Sequence, residues 1–142
     1  MQNRIRVVHI AQAAGGVDQY IRMLLKKIIG VRDTISGRRY SDIIEIAKDQ
    51  IRKTYMSDEI SLNTIAAEVG MSPSYFSSIF SKEMGKTFVE YLTEIRMDRA
   101  KELLMCSSMK TSEIGYEVGY KDPHYFSYIF KKTQNCTPKD FR

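Results

Sequence analysis

The chain has 142 residues, with 22 Lys+Arg against 17 Asp+Glu, a net charge of +5, 43% hydrophobic residues and 27% charged residues. That is room for one modest domain with an extension, and these fractions exclude wholesale disorder and a fibrous repeat. No apolar run approaches the roughly 20 residues that a membrane-spanning helix needs, and Cys106 and Cys136 stand apart without metal-ligand spacing, so no membrane partner, metal or cofactor is expected.

The charge is unevenly placed. The first 40 residues carry Arg4, Arg6, Arg22, Lys26, Lys27, Arg32, Arg38 and Arg39 against Asp18 and Asp33, which is 8 − 2 = +6, so the remainder sums to 5 − 6 = −1. A nucleic-acid argument for the larger part must therefore rest on pattern and placement.

In chain order, Arg4 to Gln12 (RIRVVHIAQ) reads as a short strand, Ala13 to Gly16 as a turn, and Val17 to Ile29 as an amphipathic helix with Val17, Ile21, Leu24, Leu25 and Ile28 on one side. This strand, glycine turn and helix resembles the opening βα unit of GT-B glycosyltransferases, whose glycine loop faces a nucleotide sugar. The likeness covers only residues 4–29, whereas such an enzyme needs two full Rossmann-like halves, so catalysis is not expected. Residues 31–40, rich in Arg, Gly, Ser and Thr, read as a flexible link. Residues 1–40 are accordingly expected to be a basic extension and linker, or a fusion remnant. His9 and Gln12 interrupt the only stretch that resembles a signal peptide's apolar middle, which points to the cytoplasm.

Ser41 to Tyr55 places Ile43, Ile44, Ala47, Ile51 and Tyr55 on one helical stripe, a supporting helix for the segment after it. Then comes an internal repeat: residues 65–80 read IAAEVGMSPSYFSSIF and residues 114–130 read IGYEVGYKDPHYFSYIF, with one extra residue in the second copy before its proline. Gly70 and Gly119 follow a valine where a helix ends and positive φ is favoured. Ser72-Pro73 and Asp122-Pro123 supply an N-cap oxygen and a proline at the first helical position. Phe76, Ile79 and Phe80, matched by Phe126, Ile129 and Phe130, form an apolar face at i, i+3, i+4, and the opposite face is polar. Two helices across a tight glycine turn, the second half apolar and half polar, make a helix-turn-helix that can set a recognition helix in a DNA major groove. The predicted recognition helices run over about 73–84 and 123–133. The competing reading is a helical interaction module without DNA, and two copies with matching caps and cores favour DNA.

Thr87 to Leu104 joins the copies. It opens with the capping box Thr87-x-x-Glu90 and keeps Phe88, Tyr91, Leu92, Ile95, Ala100, Leu103 and Leu104 on one face. At 1.5 Å per residue this linker helix spans on the order of 25 Å, against roughly 34 Å between major-groove faces on one side of a duplex. Thr137 to Arg142 is a further capped start, in which Phe141 aligns with Tyr91. The expected fold is all-α and homeodomain-like: two helix-turn-helix units joined by a long linker helix over residues 41–142, with a short strand-turn-helix extension before them.

Over about residues 41–142, most of the chain, these residues resemble the AraC/XylS family of bacterial transcription regulators, and their spelling is most similar to the output domains of two-component response regulators. The first 40 residues are too few for a receiver and hold no acidic cluster, so an output domain without an attached receiver is expected. The resemblance implies a sequence-specific DNA-binding regulator, not an enzyme, with double-stranded DNA and RNA polymerase as partners. It implies that Ser74, Ser77, Ser78 and Ser81 of the first recognition helix and His124, Tyr125, Ser127 and Tyr128 of the second read bases, which agrees with their places off the apolar stripe. Phosphate contact would fall to Lys82, Lys86, Lys131, Lys132 and Lys139, with Arg96 and Arg99 of the linker helix as weaker candidates. Family members often carry Arg where Ser78 and Tyr128 stand, so readout here is expected to be less guanine-directed. For Tyr75 and Tyr125, partial burial in the core is the favoured reading.

Overall fold

A computed structural model describes residues 20–25, 27–28 and 39–142. The predicted strand at 4–12, the turn at 13–16 and the link at 31–38 lie outside the described residues. The chain divides into two compact units, Met1–Tyr40 and Ser41–Arg142. In the first, residues 20–25 and 27–28 are helical, with Tyr20, Ile21, Met23, Leu24, Leu25 and Ile28 exposed.

The second unit is helical throughout, and no strand occurs among the described residues. Helix α1 (39–54) is followed by α2 (Leu62–Glu68), α3 (Pro73–Met84), α4 (Phe88–Cys106), α5 (Thr111–Glu117), α6 (Pro123–Gln134) and α7 (Pro138–Phe141). The local chemistry of each boundary explains the pattern. Ser61 and Thr64 cap α2 reciprocally, each side-chain oxygen accepting from the other's backbone N–H. At α4, Glu90 accepts from Thr87 N at 2.7 Å while Thr87 Oγ1 accepts from Glu90 N at 3.2 Å; the reciprocal bonds satisfy two orphan donors. Ser72 Oγ accepts from Tyr75 N, and Asp122 Oδ1 accepts from His124 N at 2.8 Å, each just ahead of its proline. Gly70 and Gly119 stand at φ +70 and +100, as their places after a closing helix demand.

Helix α4 serves two cores. Its N-terminal half contributes Phe88, Tyr91 and Leu92, and the Phe80 ring of α3 meets Phe88 at 6.2 Å and Tyr91 at 5.6 Å. Its C-terminal half contributes Met97, Ala100 and Leu104 to a cluster with Ile114, Val118, Tyr120, Phe126 and Phe130. Ile44, Ala47 and Ile51 of α1 are buried as the stripe requires, while Ile43 and Tyr55 at its margin are half-buried. The repeat is thus a repeat of packing. Gly115 stands where the first copy of the repeat has the buried Ala66, because a Cβ there would come within 3.1 Å of the Phe126 ring.

Candidate nucleic-acid interface

Helices α3 and α6 have the same length, an N-cap oxygen ahead of a proline (Ser72, Asp122), a left-handed C-cap (Gly85, Asn135) and corresponding inward faces: Phe76, Ile79 and Phe80 in one, Phe126 and Phe130 in the other, with Ile129 half-buried. At about 100° per residue, positions 74, 78 and 81 lie opposite that face in α3, and 124, 128 and 131 do so in α6. Ser74 and Ser78 are exposed and Ser77 and Ser81 half-buried; His124, Tyr125 and Tyr128 are exposed and Ser127 half-buried. Ser74, Ser78 and Ser81, and His124 and Tyr128, thus face outward, while Ser77, Tyr125 and Ser127 lie on the flanks of their helices. Ser127 Oγ donates to the Pro123 carbonyl at 3.0 Å, which leaves that hydroxyl only its lone pairs to offer.

Partial burial in the core is the expectation for Tyr75 and Tyr125, and each is about half covered, Tyr125 with its ring 6.0 Å from that of the buried Tyr120. Tyr75 is 47% exposed and Tyr125 is 53% exposed, because the adjacent Phe76 and Phe126 occupy the inward position and a neighbour one residue away points about 100° aside. The aligned copies carry this signal, since Tyr75 and Tyr125 precede the same buried phenylalanine. Tyr125 stacks on Tyr128, with ring centroids 6.3 Å apart and planes 30° apart, so α6 presents an aromatic shelf where α3 presents small hydroxyls.

Lys82, Lys131, Lys132 and Lys139 are exposed, and among the described residues none of them is in an ion pair. Lys82, Lys131 and Lys132 occupy the last turns of α3 and α6, where they also complement the helix dipole. Lys132 Nζ lies 6.0 Å from the Tyr128 ring centroid. Lys86 is half-buried and paired with Glu94 at 2.7 Å, and Arg99 is paired with Glu102 at 2.8 Å, so both are less available.

Arg96 requires a correction. It is 9% exposed, its Nε donates to the Tyr55 carbonyl at 2.9 Å, and its Nη2 donates to the Ser57 carbonyl at 2.9 Å. Its guanidinium carbon lies 5.0 Å from the Tyr120 ring centroid. Burial lowers the guanidinium pKa and raises that of the Tyr120 phenol, and each partner offsets the other's shift. A buried cation whose Nε and Nη2 both donate to carbonyls inside the domain is no surface phosphate ligand, and Arg96 leaves that set.

Residues 65–142 match the family described as a helix-turn-helix domain. A helix-turn-helix transcriptional regulator of Pseudoalteromonas carrageenovora is 36% identical over 100 residues, which is 70% of this chain and 58% of that protein. The arabinose operon regulatory protein of Salmonella typhimurium is 32% identical over 124 residues, 85% of this chain and 43% of that protein. The chain belongs to the AraC/XylS family of transcription regulators. Among solved AraC/XylS-type structures, the C-terminal domain of AraT, a response regulator from Geobacillus stearothermophilus, is similar at 36% identity and TM-score 0.69, covering 70% of this chain and 83% of that one. The chain spans about half the length of the two curated relatives. As in other AraC/XylS members, its helix-turn-helix units make a DNA-binding domain for transcription regulation. No described helix is long and apolar enough to cross a membrane.

Proposed function

We propose that the chain binds an asymmetric DNA site by setting α3 and α6 into successive major grooves on one side of the duplex. The observation that carries this reading is the aligned pair of outward faces on one frame: Ser74, Ser78 and Ser81 on α3 stand where α6 has His124, Tyr128 and Lys131. Corresponding frames give the two helices comparable docking geometry, and unlike faces give each its own half-site. The 19 residues of α4 make a connector on the order of 28 Å long, commensurate with one helical turn of DNA.

In this reading Ser74, Ser77, Ser78 and Ser81 read one half-site by hydroxyl hydrogen bonds, while His124, Tyr125, Ser127 and Tyr128 read the other. The tyrosine shelf supplies apolar contact suited to thymine methyls. Lys82, Lys131, Lys132 and Lys139 hold phosphates, and Lys86 and Arg99 join them only by leaving Glu94 and Glu102. Backbone N–H groups at the capped starts of α3 and α6 add phosphate contacts. The chain works in the cytoplasm, its partners are double-stranded DNA and RNA polymerase, and it catalyses no reaction. Selection of bound duplexes from a random pool by the full chain tests this. A reproducible two-part motif with unlike halves one helical turn apart supports the proposal, and the absence of any enriched sequence refutes it.

A further inference from the structure

The second helix-turn-helix turn is one residue longer than the first, and the added residue has a partner far back in the chain. Lys121 Nζ lies 3.2 Å from Asp58 Oδ2, in the loop between α1 and α2. Two residues earlier, Gly119 approaches that loop so closely that a Cβ would lie 2.7 Å from the Tyr55 carbonyl oxygen and 2.8 Å from Arg96 Nη2. The corresponding Gly70 of the first turn has nothing within 4 Å of that position. Arg96 itself stands near the midpoint of α4, with its donors on Tyr55 and Ser57 and the Tyr120 ring against its guanidinium. Three elements therefore meet at one buried cation: the middle of the connector, the loop that leads into the first unit, and the turn of the second.

We infer that Arg96, Gly119 and the Lys121–Asp58 pair form a clasp that fixes the angle between the two helix-turn-helix units and thereby restricts the chain to one spacing of DNA half-sites. A helix alone is an imperfect ruler, since long helices bend. Rotating one unit against the other strips two charge-assisted hydrogen bonds and an aromatic contact from a buried guanidinium at once, so the clasp opposes intermediate angles. Arg96 is a positioning residue here and touches no base. The clasp rests on the reading of α3 and α6 as the two base-reading helices.

The test uses the full chain on its selected duplex and on duplexes with one or two base pairs added or removed between the half-sites. One added base pair turns the half-sites apart by about 34° and about 3.4 Å. The unmodified chain should lose about tenfold in affinity per base pair of mis-spacing, whereas Arg96→Met should lose less than about threefold. Both should bind a duplex with a single intact half-site within about twofold of each other, a balance that a merely structural loss would not give. Thermal unfolding reports whether Arg96→Met is folded; if it is not, the milder Arg96→Lys, whose single ammonium does not reproduce the guanidinium's two-carbonyl fork, decides by the same ratio. A folded variant that keeps the original spacing penalty overturns the clasp alone. Failure to select any two-part site overturns the clasp together with the two-helix reading.

Discussion

The Arg96 guanidinium lies in the space that a side chain at Gly119 would fill: a Cβ there would stand 2.8 Å from Nη2 and 3.0 Å from Cζ. One residue supplies the cation, the other the vacancy; Arg96 lies on the connector α4 and Gly119 in the turn of the second helix-turn-helix, 23 positions apart in the sequence.

Gly119→Ala is therefore expected to be far more costly than Gly70→Ala. Both residues hold positive φ, which costs an L-residue about 1–2 kcal/mol. Only at Gly119 would the new methyl also meet the Tyr55 carbonyl and Arg96, adding about 1–3 kcal/mol of overpacking. Urea denaturation of the two variants should separate them by that difference, and equal losses would show that the loop yields freely.

The α4 capping box predicts an acid-sensitive helix start. The Thr87 backbone and hydroxyl hydrogen bonds hold the Glu90 carboxyl below its ordinary value of 4.5. A carboxylate with a depressed folded-state pKa contributes stability that is present above its unfolded pKa and is lost as pH falls through the folded value. Stability should thus decline below about pH 4.5 with a component that Glu90→Gln removes. Separately, Thr87→Ala should lower stability at neutral pH by about 1 kcal/mol, read from thermal or urea unfolding.

The aromatic shelf of α6 predicts methyl-dependent readout. Replacing thymine by uracil in the α6 half-site removes only the C5 methyl, and should weaken binding by the full chain about two- to fivefold. Tyr128→Ala should abolish that sensitivity while leaving thymine-to-uracil changes in the α3 half-site without added effect. Equal sensitivity in both proteins would remove Tyr128 from the readout.

The lysines predict a salt dependence. Each exposed lysine that neutralises a phosphate adds about 0.9 to the slope of log affinity against log salt, so Lys82→Ala and Lys131→Ala should each lower it by about that amount without altering the selected motif. Deleting residues 1–40 removes the whole of the chain's net positive charge, leaving −1, and is expected to leave the sequence preference intact. A changed motif would show that the extension reads DNA as well.

Much of this arrangement is legible in the amino-acid sequence. Caps and turns are written locally: Thr87 with Glu90, Ser72 and Asp122 before proline, and Gly70 and Gly119 after valine all act within a few residues of themselves. The buried faces of α3 and α6 follow from helical period, and their doubling follows from the repeat. What the sequence hides is long-range. Arg96 alternates with acidic residues along α4 and looks like a solvated cation, yet its partners Tyr55 and Ser57 lie 41 and 39 residues away. Lys121 stands in the sequence only as an unexplained extra residue, because its partner Asp58 lies in another loop.

In the proposed complex one chain presents two unlike recognition helices to one side of a duplex. Hydroxyl-radical footprinting of the full chain on its selected site tests it most directly. Two protected blocks on one face, centred about 10 base pairs apart, are the predicted result, with Tyr125→Ala/Tyr128→Ala erasing one block and Ser74→Ala/Ser78→Ala weakening the other. A single block, or two blocks that fade together in both variants, would contradict it.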